Sequence, residues 1–129
     1  MNKVMRVYQK CLKLPMGKII FSKLICLKAP YFSSIKPRFV ELRPGYCEIL
    51  LKKRRAVTNH LKSVHAIAMC NVSELAAGTM LEASIPGTMR WIPKEMTVYY
   101  LRIAKTDLKA TCKISLDGLN QPGEFPMTV

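Results

Sequence analysis

The chain has 129 residues, half of them apolar, and carries 21 Lys and Arg against 8 Asp and Glu, a formal charge of +13. That length fits one domain burying roughly two-thirds of its unfolded surface. Lys18, Lys23 and Lys28 interrupt the most hydrophobic region, so no stretch reaches the ~20 apolar residues that span a bilayer, and a soluble protein with no transmembrane segment is expected.

The same lysines break any signal-peptide core, while the lack of acids before Glu41 leaves a transit-peptide reading open. Cys11, Cys26, Cys47, Cys70 and Cys112 are odd in number, widely spaced and set among apolar residues. They read as buried thiols of a reducing, cytoplasmic compartment, not as a disulfide framework or a metal site. The positive charge implies an anionic partner or a need for solubility. Its densest run, Lys52-Lys53-Arg54-Arg55, suits nucleic acid, anionic lipid or the phosphates of coenzyme A, and equally a solvated strand end.

From residue 3 to 29, Val4, Val7, Leu12, Leu14, Ile19, Ile20, Leu24 and Leu27 recur at mostly helical spacing. Two short amphipathic helices split near Pro15-Met16-Gly17 are expected, covering the end of a sheet. Pro30, Pro37 and Pro44-Gly45 mark a connecting stretch, and Tyr46 to Lys52 reads as a strand. Ser63 is a candidate N-cap for a helix from Val64 to about Ala83, before Pro86-Gly87. Met89 to Ala104 has strand-forming content with a break at Pro93, Lys109 to Leu116 alternates as a half-buried strand, and Phe125 to Val129 begins another.

The long helix is rich in small residues and carries one acid in its centre, Glu74. Read as buried, a lone carboxylate there costs free energy unless it is paired or has work to do. Its order with two earlier residues is specific: Asn59, five residues, His65, eight residues, Glu74. This spacing resembles the hotdog-fold acyl-thioester hydrolases of the phenylacetate-pathway type. There, Asn, His-Gly-Gly and then Asp or Glu surround the start of one central helix. The blocks Ala29-Pro30-Tyr31-Phe32, Glu41 to Tyr46 and Arg90 to Lys94 extend the likeness to an uncharacterised branch, domain of unknown function 4442.

The resemblance implies an α+β hotdog fold, an antiparallel sheet wrapped around one long central helix, with N-terminal helices. It implies a single domain over 1–129, with 1–29 as its helical lead. This chain stops before the two further strands' worth of residues such domains carry, so its C-terminus is truncated or its sheet is completed differently. Glu74 would be the catalytic base or nucleophile, the Ala66 backbone N–H the main oxyanion donor, Asn59 would position the water or thioester, and His65 would shape the loop. Nine residues at 100° each put His65 and Glu74 on opposite sides of a helix, so they form no dyad. In the related enzymes the pocket lies between two subunits, which implies a homodimer or a dimer of dimers.

Lys53, Arg54 and Arg55 would then meet the phosphates of coenzyme A, which enters as part of an acyl-CoA or acyl carrier protein thioester; no separate cofactor is expected. The leading reading is a thioester hydrolase. A non-catalytic hotdog protein that binds acyl thioesters or a protein partner is the alternative, favoured by Ala66-Ile67 in place of Gly-Gly and by Ile92-Pro93-Lys94 where some relatives carry a Ser. A nucleic-acid or membrane-surface binder rests on charge alone, with no recognition motif. Each site residue also has a structural reading: Asn59 as a turn cap, His65 as a satisfied histidine, Glu74 bonded to Asn71 or Ser73.

Overall fold

The basic N-terminal stretch folds as two helices, α1 (Lys3–Leu12) and α2 (Gly17–Lys28), in the computed structural model, which describes residues 1–129. Asn2 caps α1, its Oδ1 accepting the Met5 N–H at 3.1 Å. The chain turns sharply before α2, and residue 17 must be Gly: an added Cβ would stand 1.9 Å from the Cys11 carbonyl oxygen. Met5, Tyr8 and Cys11 of α1 and Phe21 of α2 are buried. Phe21 links the helices to the sheet, meeting Tyr8 and Phe39 edge-to-face with ring centroids 4.9 Å apart in both cases.

After a 3₁₀ turn at Pro30–Ile35, β1 (Arg38–Arg43) and β2 (Tyr46–Leu51) form an antiparallel hairpin. Sequence patterning treats this region as a connector up to Pro44-Gly45, whereas Arg38–Arg43 is a strand. Its register shifts between Phe39 and Glu41, which masks simple alternation while keeping Phe39 and Leu42 on the core side. Gly45 supplies the positive φ of the turn, 77°, and lies so close to the Ile114 carbonyl that a Cβ would be 2.8 Å from its oxygen. At the outer edge of the sheet, covered here by α2, the Phe39 N–H donates to Ser22 Oγ at 3.0 Å, so α2 satisfies part of β1's unpaired side.

β3 (Leu108–Lys113) pairs antiparallel with β2, setting Cys47 opposite Cys112, and the sheet order is β1-β2-β3. It ends before the expected Leu116. Across one face lies α3 (Ala66–Ser84), which packs Ala68, Val72, Leu75, Ala76, Met80 and Ala83 into the same core as Phe39, Leu42, Cys47, Ile49, Leu51, Ala110 and Cys112. This is the hotdog arrangement, an α+β fold of an antiparallel sheet about one long helix. The core cluster also takes in Met5, Tyr8, Cys11 and Phe21, so the N-terminal helices share it. No helix is long and apolar enough to cross a membrane.

Two expected strands are absent. Residues 89–104 form no ladder; they run back along the outer side of α3, with Trp91 against Gly78, Tyr100 against Cys70, and the Ala104 carbonyl accepting the Val64 N–H at 2.8 Å. Strand propensity there is overridden by contacts with α3, and the segment joins neither outer strand of the sheet. The segment from Phe125 to Val129 is likewise irregular; Phe125 and Met127 instead pack on a small cluster of Leu81, Ile85 and Leu119. All five cysteines are free, and burial, followed by the neighbouring Cys112 and Glu48, pushes the Cys47 thiol far above its ordinary value.

Candidate active site at the start of the long helix

Backbone hydrogen bonds hold the loop that enters α3 in one conformation. The His65 N–H donates to the Val57 carbonyl at 2.8 Å, and Thr58 and Val64 form an isolated bridge. Asn59 closes the turn between them. Its Oδ1 accepts the N–H groups of Leu61 at 3.0 Å and Ser63 at 3.1 Å, and its Nδ2 donates to Ser63 Oγ at 2.8 Å. The Asn59 side chain is therefore engaged in the turn, an Asx-type role.

Ser63, expected as the helix cap, is occupied by Asn59; the cap is His65, whose Nδ1 accepts the Ile67 N–H at 3.0 Å. The helix starts accordingly at Ala66, two residues later than expected. A helix leaves its first N–H groups without intrahelical partners, and they carry the positive end of the dipole. His65 takes one. The N–H groups of Ala66 and Ala68 have no protein partner and remain available to a ligand oxygen.

Glu74 is exposed, not buried, and its carboxylate makes no hydrogen bond or ion pair within the chain, to Asn71, Ser73 or any cation. Small apolar residues make α3 look uniformly buried in sequence, but only one face meets the sheet. Ile67, Asn71, Glu74 and Gly78 recur at i, i+4, i+7 and i+11, a single stripe on the other side. Along that stripe Ile67 and Glu74 are open, Asn71 is buried and Gly78 lies beneath Trp91.

Asn71 and Tyr100 are two residues of this site that sequence reasoning missed. Asn71 is 6% exposed, its Nδ2 donates to Ser34 Oγ at a long 3.4 Å, and its Oδ1 has no partner. Leaving such a group unpaired costs about 1–3 kcal/mol. It lines a cavity of ≈ 190 Å³ beside the helix start, with His65, Ile67 and Ala68 from the helix, Ala56 to Thr58 from the preceding 3₁₀ turn (Arg55–Val57) and its cap, and Tyr31, Ser34 and Ile35 from the Pro30–Ile35 turn. Tyr100 sets its hydroxyl 2.9 Å from Cys70 Sγ and donates weakly to the Ala66 carbonyl at 3.5 Å. The Cys70 hydrogen bond, then desolvation, raises the Tyr100 pKa, keeping the phenol a neutral donor. Only a polar residue among the apolar ones of the first turns of α3 signalled Asn71; Tyr100 gave no signal, because its contact joins segments 30 residues apart.

The basic run divides by role. Lys53 is tied to the loop before β3, its N–H donating to Asp107 Oδ1 at 2.8 Å and its Nζ to the Lys105 carbonyl at 3.2 Å. Arg54 is half-buried and its guanidinium donates to the Ser34 carbonyl, fixing the turn that borders the cavity. Arg55 is exposed, with its side chain unpaired.

Residues 17–129 match the family described as Domain of unknown function (DUF4442). The chain belongs to this family. The DUF4442 chain is also similar to the crystal structure of genomics APC5556, at 48% identity and a TM-score of 0.81 over 93% of this chain and 80% of that one. A second likeness, at 25% identity and a TM-score of 0.69, covers 82% of this chain and 70% of a protein of unknown function from Pseudomonas aeruginosa, PA5026, described as a probable thioesterase. No curated protein matches.

In this DUF4442 domain Ala66 and Glu74 are eight residues apart on one helix, which at 1.5 Å per residue is about 12 Å along the axis. One carbonyl cannot be held by the Ala66 N–H and attacked from Glu74 of the same chain. A site using both needs the acid of a second copy.

Proposed function

We propose that two copies of this chain form a thioester hydrolase, each supplying the helix start to one site and Glu74 to the other. The observation that carries the reading is the pairing of a vacant helix-start donor, the Ala66 N–H, with an unpaired, exposed carboxylate about 12 Å along the same helix. Hydrolysis needs a donor where negative charge grows on the carbonyl oxygen, and a base or nucleophile on the other side of the carbonyl carbon. The probable-thioesterase description of the similar Pseudomonas aeruginosa protein supports this chemistry. An apolar strip on segment 92–103, with Ile92, Tyr99, Leu101 and Ile103 between 65% and 91% exposed, supports a covering second copy.

The substrate class is an acyl thioester of coenzyme A or of an acyl carrier protein, in a single hotdog domain of the cytoplasm, with no separate cofactor. Arg55, unpaired and exposed, is the member of the basic run best able to meet a phosphate, while Lys53 and Arg54 hold the loops beside it. In this reading Asn59 acts through the turn it closes, and His65 by capping the helix that presents Ala66.

The test is free-thiol release from a panel of acyl-CoAs by the full chain and by Glu74→Gln. A general base typically contributes about 10²–10⁴-fold, so turnover should fall by that order with the dimer intact by light scattering. Wild-type turnover in Glu74→Gln would make the carboxylate structural. The second reading, a non-catalytic acyl-thioester binder, is favoured by Ile67, whose branched side chain stands 55% exposed where a Gly would open the approach. Saturable acyl-CoA binding with no thiol release would select it.

A further inference from the structure

We infer that the cavity beside the α3 start is a secondary-amide subsite in which Asn71 Oδ1 accepts the ligand N–H and the Ala68 N–H donates to the ligand C=O. Three observations converge there. Asn71 Oδ1 is an acceptor closed off from solvent and without a partner. The Ala68 N–H is a donor without a partner, in a helix turn whose free N–H groups face the N-terminal end. Residues 68 and 71, three apart, are neighbours where the covered face of the helix meets the open one, and both line the same ≈ 190 Å³ space.

The pattern of one donor beside one acceptor narrows the ligand to groups that both donate and accept, and the apolar walls on either side favour an amide flanked by alkyl links. A phosphate or carboxylate offers only acceptors and would leave Oδ1 unsatisfied; an ammonium group offers only donors and would leave the Ala68 N–H unsatisfied. A secondary amide supplies both. The remaining walls, Tyr31, Ile35, Ala56 and Val57, are largely apolar and suit the alkyl links on either side of an amide. Ser34 completes the device: its hydroxyl receives Asn71 Nδ2, which leaves Oδ1 as the carboxamide atom without a partner, and its own carbonyl is held by Arg54. A hydrogen-bonding site of this kind discriminates strongly against an analogue that lacks the bonding group, because the site's polar atoms are then left unpaired.

This inference rests on the thioesterase reading for its substrates but not for its binding test. The amide can sit in the thiol arm or in the acyl half. Three thioesters of matched acyl length separate the cases: an acyl pantetheine, an N-acetylglycyl thioester of butanethiol, and an amide-free butanethiol ester. With the full chain, Asn71→Ala should raise KM about three- to tenfold for whichever amide-bearing ester occupies the cavity and leave the amide-free ester unchanged. Equal change for all three, or none for any, overturns the subsite.

If no thioester turns over, titration calorimetry with pantetheine and with N-acetylglycine butylamide replaces the kinetics. Binding of either by wild type and its loss in Asn71→Ala supports the subsite while the hydrolase reading fails; no binding of either overturns it. Asn71→Leu gives a stability readout independent of activity. An unpartnered ligand-binding amide replaced by an apolar side chain of similar size should leave Tm equal or higher, whereas a structural asparagine would lower it, and a fall in Tm would count against the inference.

Discussion

The indole of Trp91 occupies the position of the missing side chain at Gly78: a Cβ on residue 78 would lie 2.4 Å from Cη2 and 2.6 Å from Cζ2 of the ring. The indole Nε1 then donates to Glu82 Oε2, one turn further along α3, at 3.0 Å. Glycine in mid-helix costs about 1 kcal/mol relative to alanine, so this contact offsets a local penalty. It also anchors the start of the segment that runs back along α3 toward Tyr100.

Gly78→Ala should therefore displace the ring and break the Glu82 bond, despite its better helix propensity. Trp91 is the chain's one tryptophan, so intrinsic fluorescence reports it directly. The expected result is a red-shifted emission maximum and a Tm no higher than wild type, since overpacking a fitted contact costs about 1–3 kcal/mol. An unshifted spectrum with a raised Tm would show that the indole does not depend on Gly78.

Asn2 joins the first helix to the last turn of the third. Its Oδ1 caps α1 through the Met5 N–H, while its Nδ2 donates to the Glu82 carbonyl and, at 3.3 Å, to that of Ile85. Those carbonyls lie at a helix end, where partners are otherwise lacking. Asn2→Ala should lower stability by about 1–2 kcal/mol, a Tm drop of about 4–7 °C for a chain of this size. Asn2→Ser, which keeps the cap but loses the reach to α3, should recover part of that in a thermal melt. No difference among the three would make the contact incidental.

Glu48 on β2 joins a residue of its own strand to one of β3. Tyr46 donates its hydroxyl to Glu48 Oε2 at 2.8 Å, and Lys109 Nζ lies 3.2 Å from Oε1 across the strand pair. The Tyr46 hydrogen bond, then that of Lys109, holds the Glu48 carboxyl below the ordinary carboxylate range, and the same bond raises Tyr46. At acid pH the unfolded chain thus binds more protons at this site than the folded one. Its stabilising contribution is complete above the unfolded value near 4.3 and is lost as pH falls through the lower folded value. Glu48→Gln should flatten the acid limb of the Tm-against-pH curve between about pH 5 and pH 3, with little change in slope at neutral pH. Identical acid limbs for the two proteins would remove Glu48 from the account.

Local chemistry in the chain determined much of this protein. Turn residues and apolar spacing are enough to read α1 and α2 with their break before Gly17, β2, the core of β3, and α3 within two residues at its start, because each rests on contacts among near neighbours. The Asn59, His65 and Glu74 spacing was legible for the same reason, as was the free N–H at Ala66, which follows from any helix start. Tertiary structure decided which face of α3 is covered. An Ala-rich helix has little periodicity to reveal that, so Glu74 looked buried and is open, while Asn71 looked incidental and carries one of two buried polar atoms without a partner, the other being Arg54 Nε. It also decided pairing: Arg38–Arg43 gained a partner in β2 and became a strand despite its irregular alternation, whereas residues 89–104, rich in strand formers, joined neither outer strand of the sheet and lay along the helix instead. Strand propensity states what a segment tolerates; the ladder exists only where another strand is present to receive its hydrogen bonds.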